Sequence, residues 1–160
     1  MKRELIPSWE ELERHQKIVP EIKPAAVIAM LEIKQVGEDI QHGIMDVLQQ
    51  EYHLSEGKFC MFIVLHQNPE GIAPSTIATK LGVTKATVSN MLVRMERDGL
   101  VVEKPSPDDA RAKRICLTQD GRDFMNEILP PHYLRVTKLM EKLSEEEQHE
   151  LIRLLKKLSG

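Results

Sequence analysis

Between Thr84 and Arg94 the chain carries hydroxyls at Thr84, Thr87 and Ser89, a carboxamide at Asn90 and cations at Lys85 and Arg94, with no acid before Glu96. Hydroxyls and amides both donate and accept hydrogen bonds, and lysine and arginine neutralise phosphates. That mixture suits base edges and a phosphate backbone, not the making or breaking of bonds. Ser75 and Thr76, just upstream, add two hydroxyls. A second basic group, Arg111, Lys113 and Arg114, lies beside Asp108 and Asp109. An arginine in such a loop can enter a narrow minor groove, where the negative potential is strong. Alternatively, Asp109 and Arg111 pair and stiffen their own loop. These side chains are the candidate contacts to double-stranded DNA. Serine, histidine and aspartate all occur, but no nucleophile elbow, HExxH pair, phosphate loop or dinucleotide fingerprint does. No catalytic residue is assigned, and the chain is not expected to be an enzyme.

The elements around these residues place them. Two short helical patterns, Pro74–Leu81 and Thr84–Arg97, are separated by Gly82-Val83. Ala78 is small enough for the second helix to cross closely, Gly82 suits a sharp turn with positive φ, and Val88 can pin the second helix on the first. Thr84 is a good N-cap, and Gly99 stops the helix. With Val88, Met91, Leu92 and Met95 inward, Lys85, Thr87, Ser89, Asn90 and Arg94 turn outward. Leu100–Lys104 and Lys113–Leu117 read as two strands of a β-hairpin joined by a turn at 105–109. Helix, tight turn, helix and hairpin make a winged helix-turn-helix, with the helix pair at about 74–97 and the wing at about 100–118.

The rest reads as helical scaffold. Residues 1–24 form an arm with prolines at 7, 20 and 24, and Ser8 with Glu11 predicts a capping box for a short helix, Trp9 to Val19. Ile28, Leu31, Val36, Ile40, Ile44, Val47 and Leu48 predict a long amphipathic helix from Ala25 to about Tyr52. Ser55 caps an apolar helix ending near His66, and residues 68–71 read as a turn. Thr118 begins another helix, expected to break near Pro130-Pro131. Ser144 and Glu147 cap the last one, whose apolar positions are Leu151, Ile152, Leu154, Leu155 and Leu158. The expected fold is mainly α with a small β-hairpin wing: a winged helix-turn-helix plus a helical dimerisation region, within one domain over 25–158.

Bulk properties agree with a soluble DNA-binding protein. Aromatic residues are only 4%, so the core must rest on aliphatic side chains and methionine. The net charge of -3 is unevenly spread: from Ile72 to Thr118 eight basic residues face five acidic ones, a local +3. A basic module in an acidic scaffold is an electrostatic footprint for phosphate. No membrane partner or secretory signal is expected, which makes the cytoplasm the default location.

At Leu81–Ser89, Met95–Val101, Asp108–Ile115 and Leu117–Gly121 the chain resembles the MarR family of bacterial winged helix-turn-helix regulators. The resemblance implies a homodimer whose N- and C-terminal helices interlock, here about 25–52 and 119–158. It also implies a crevice for a small-molecule effector between that base and the DNA-binding lobes, with repression relieved by a small aromatic or amphipathic compound. Candidate crevice walls are Met30, Ile33, Met61 and His66; the alternative is that all four are core. The chain departs from many members at Ala110 and Asn90, where arginine is common, and in its longer arm. The expectation is a ligand-responsive repressor of a pseudo-palindromic operator, without cofactor or metal.

Three other readings compete. Glu38 and His42, one helical turn apart, could begin a zinc site in a zinc-responsive regulator of the same fold, although the histidines at 15, 53, 66, 132 and 149 form no cluster in sequence. Cys60 and Cys116 could be redox-active, but each lies in an apolar stretch that argues for inert burial. The winged helix could also serve only as a protein-interaction module, against which the distribution of Lys85, Arg94 and Arg111–Arg114 argues.

Overall fold

Ser8 starts the first helix, α1 (Trp9–Ile18), its hydroxyl accepting the Glu11 amide at 3.2 Å. The computed structural model describes residues 6–105 and 113–160. Arg111 and the turn residues Ser106–Asp109 lie outside the described residues. The chain divides into two compact units, 1–56 and 57–160.

In the first unit, α1 packs on α2 (Pro24–Tyr52) and buries Leu12. Gln16 Nε2 donates to the Ile22 carbonyl at 2.7 Å and ties down the connection between them. Pro24 sits in the first turn of α2, where its missing amide costs nothing. The helix runs unbroken to His53, which adopts a left-handed conformation (φ 53°); its amide and that of Leu54 close on Gln49 and Leu48. Those bonds satisfy carbonyls that the helix end leaves open.

The second unit is built around α3 (Glu56–His66), which buries Phe59, Met61, Phe62, Val64 and Leu65. A helix apolar on nearly all sides belongs in a core. The unit also contains α4 (Pro74–Leu81), α5 (Lys85–Arg97), the antiparallel strands β1 (Val101–Pro105) and β2 (Lys113–Leu117), α6 (Gln119–Met140) and α7 (Glu145–Ser159). Ile77, Val88, Met95, Met125 and Ile128 complete the core, and the Phe62 and Phe124 rings lie 5.4 Å apart. The hairpin pairs Val101 with Leu117 and Pro105 with Lys113. Ile72 and Ile115 exchange backbone bonds of 3.1 and 2.9 Å, so the segment before α4 is stitched to the wing. The sequence reading stopped at the preceding turn and missed this bridge, because a one-residue bridge leaves no periodicity.

Thr118 locks the wing to α6. Its hydroxyl donates to the Gly99 carbonyl at 2.7 Å and accepts the Gly121 amide at 3.0 Å, while its own amide donates to the Leu100 carbonyl. Gly121 is buried so tightly against that carbonyl that a Cβ would strike the Leu100 oxygen. The expected break at Pro130-Pro131 does not occur: α6 passes through both prolines. Two helical hydrogen bonds are lost there, to the carbonyls of Asn126 and Glu127, but both residues are exposed and water can serve them. Packing holds the helix on either side: Ile128 and Leu129 are buried before the pair, and the His132 ring meets Phe59 edge-on at 5.1 Å after it. Among the described residues no helix is long and apolar enough to cross a membrane.

Candidate nucleic-acid interface

The surface of interest begins with a turn. Gly82 closes α4 at φ 65°, donating to Ala78 and Thr79, and the Val83 amide reaches the Ala78 carbonyl at 3.1 Å. Thr84 then caps α5, its hydroxyl accepting the Thr87 amide at 3.1 Å and meeting the Thr87 hydroxyl at 2.9 Å. Ala78, Ile77, Val88 and Met95 are buried, which fixes the roll of α5 on α4. Asp98 ends α5 and accepts from Lys58 Nζ of α3 at 3.1 Å, a bond that holds its carboxyl below the ordinary aspartate range.

With Val88 and Met95 inward, residues 100° apart around the helix place Ala86, Asn90, Val93 and Arg97 on the outermost line, all exposed. Thr87 and Arg94 occupy one shoulder. Lys85, Ser89 and Glu96 occupy the other, where Ser89, Val93 and Glu96 wall a groove with Val101, Glu103 and Ile115 of the hairpin. Of the residues expected on this face, Asn90 alone stands on the outer line. Ala86, Val93 and Arg97 went unnamed, although counting three and four residues from Asn90 would have found them. Val93 is 65% exposed, an aliphatic side chain in the middle of a polar face.

Ser75 and Thr76 are exposed in the first turn of α4, which has Pro74 at its start and no side-chain cap. Such a helix end attracts anions. In the wing, Arg114 is half-buried on β2, and Arg111 lies outside the described residues. Lys113 is exposed but engaged: its ammonium meets Glu103 Oε1 at 2.6 Å, and the carboxylate raises its pKa. The candidate DNA contacts within the described residues therefore share one unit, on α4, α5 and the hairpin.

The candidate crevice residues fall in both units. Met30 and Ile33 are exposed on α2 of the first, whereas Met61 of the second is fully buried in α3. His66 is exposed and lines a cavity of about 130 Å³ with Leu65, Pro69, Leu117, Arg122 and Asn126. That space is smaller than the ~300 Å³ at which drug-sized pockets begin. Glu38 and His42 both lie on α2, and among the described residues no group of three or more histidines, cysteines or carboxylates is gathered to hold a metal. Cys60 is half-buried and Cys116 buried.

Known proteins share this architecture. The sequence profile of the MarR family matches residues 56–112. The HTH-type transcriptional repressor YetL of Bacillus subtilis is 26% identical over 156 residues, 97% of this chain and 93% of YetL. The uncharacterized HTH-type transcriptional regulator YkoM of the same organism is 30% identical over 118 residues, 73% of this chain and 74% of YkoM. Among solved structures, the S. aureus MepR–DNA complex superposes with a TM-score of 0.67 at 24% identity, covering 80% of this chain and 93% of MepR.

Proposed function

This chain belongs to the MarR family of transcriptional regulators, and from that premise we propose that it is a cytoplasmic, ligand-responsive repressor that binds a near-palindromic operator as a homodimer and carries out no catalysis. The observation that carries the reading is the outer surface of α5. From Lys85 to Met95 it bears no acid, and it is rolled outward over a core locked by Val88 and Met95. A helix so presented enters a major groove, where Asn90 can bond to a base edge and Ala86 and Val93 can meet thymine methyl groups. Thr87, Ser89, Lys85 and Arg94 flank it. Ser75 and Thr76 at the α4 start, with Arg111 and Arg114 of the wing, serve phosphates or the minor groove.

The dimer is supported by α7, which buries no residue although Ile152, Leu154, Leu155 and Leu158 line it. Its apolar side suits a second copy of the chain, and a two-fold assembly presents two copies of α5 to half-sites about 10 bp apart. A small-molecule effector that weakens DNA binding belongs to the same reading; the exposed Met30 and Ile33 on α2 and, separately, the cavity beside His66 are each open to one.

Selection of bound duplexes from a random pool, with and without cell metabolites, tests all three parts. The expected result is a two-fold motif whose enrichment falls when an effector is present. Asymmetric single half-sites bound at full affinity would contradict the dimer. An effector whose own affinity is unchanged by DNA would remove the regulatory claim, because linkage is reciprocal.

A further inference from the structure

The hairpin carries a charge arrangement that does not follow from DNA binding. Glu103 stands on β1 and Lys113 opens β2, diagonal neighbours in a register that pairs Lys113 with Pro105 and Glu103 with Ile115. Their side chains meet at 2.6 Å while both remain at the surface. Glu96 of α5 acts on the same ammonium through space, and it walls the same groove as Glu103. The more exposed cation of β2 is thus held by an acid of its own hairpin.

We propose that Glu103 sets the affinity of the wing for DNA by occupying Lys113 in the free protein, so that a phosphate must displace this carboxylate before it gains the lysine. The inference rests on the DNA-binding reading above. A paired lysine and glutamate bring no net charge to the duplex and release no counterion, whereas a lysine freed of its partner releases about one. The phosphate backbone carries no sequence information, so the restraint acts on every DNA sequence alike. It therefore tunes strength without altering choice, and is separable from the role of Asn90.

The experiment is a four-member cycle in the full-length protein: wild type, Glu103→Gln, Lys113→Gln and the double variant. Binding is measured to the selected operator and to a scrambled duplex across a salt series. Glu103→Gln is expected to tighten both duplexes several-fold at about 0.1 M salt and to steepen the slope of log affinity against log salt by roughly 0.9. Lys113→Gln tightens neither duplex, and the double variant binds both as Lys113→Gln does, because Glu103 acts only through the lysine. The pair is exposed, so all four proteins should melt alike. A silent Glu103→Gln overturns the proposal, and so does a gain that persists undiminished when Lys113 is also replaced, because Glu103 would then act without the lysine. If wild type shows no salt-dependent binding to either duplex, the DNA-binding reading falls too. Salt-dependent wild-type binding with a silent Glu103→Gln removes this inference alone.

Discussion

Helices α5 and α7 are made by the same local rules and end in opposite circumstances. Each begins at a hydroxyl that accepts the amide three residues on, from Thr84 to Thr87 at 3.1 Å and from Ser144 to Glu147 at 3.3 Å. At α7 the Glu147 carboxylate also accepts the Ser144 amide at 2.8 Å, completing a capping box. Both helices carry an apolar stripe. Yet α5 buries Val88 and Met95, whereas α7 buries nothing and leaves Leu158 72% exposed. A lone helix of about 12–15 residues is marginal in water, however well capped. Caps and periodicity define a helix; whether its apolar side is covered depends on what the rest of the chain, or another chain, puts against it.

The sharpest way to break the comparison is to charge the α7 stripe. In a two-fold assembly Leu155→Glu acts twice, and a carboxylate without a partner is expensive to bury. If α7 joins two copies as proposed, Leu155→Glu is expected to sediment as a lighter species than wild type, with operator affinity lost. A variant of unchanged mass and affinity would show that α7 is not the interface. Next comes the covered helix. Met95→Ala is expected to cost about 2–5 kcal/mol in urea unfolding, by a cavity in a core that cannot collapse. A loss well under that range would mean α5 is not seated as described.

A smaller effect is expected on the outer line of α5. Asn90→Ala should cost about 1–3 kcal/mol at one base position if the contact is bidentate, relaxing discrimination there while leaving the salt slope alone. Equal loss on matched and scrambled duplexes would move Asn90 from base reading to backbone. The smallest effect concerns the seat of α5 at Asp98. Lys58 holds that carboxyl below its unfolded value, so the pair stabilises above the unfolded pKa and its contribution disappears as pH falls through the folded one. Stability measured from about pH 5 downward should decline less steeply in Lys58→Met than in wild type. Identical slopes would show that the pair contributes nothing to folding, as many exposed pairs do.

The winged domain was legible in the sequence because its signals are local. Gly82 marks a positive φ, Thr84 a cap, Gly99 a stop, and the hairpin strands flank a turn rich in proline and aspartate. What escaped depends on distance in sequence. Pro130-Pro131 obeys a local rule that packing at Ile128 and His132 overrides. Ile72 finds Ile115 across more than forty residues. Glu103 and Lys113 meet only through the pairing of the two strands, which neither residue announces in sequence. Met61 belongs to a helix apolar on almost every side, where periodicity cannot say which positions face a cavity and which the core. On α5 the outer line follows from helical spacing, whereas polarity alone singles out Thr87 and Ser89 and passes over Val93.

The Thr118 clasp has a mechanical consequence. Two bonds, from the hydroxyl and the amide of Thr118, fasten the exit of α5 to the entrance of α6, and the contact of Gly121 with the Leu100 carbonyl leaves little slack in the joint. The two helices then behave as the arms of one crank. A sideways push on the shaft of α6 meets a stiff elbow and is passed on toward α5. The length of α6, 22 residues, gives a force at its far end a long lever on that elbow.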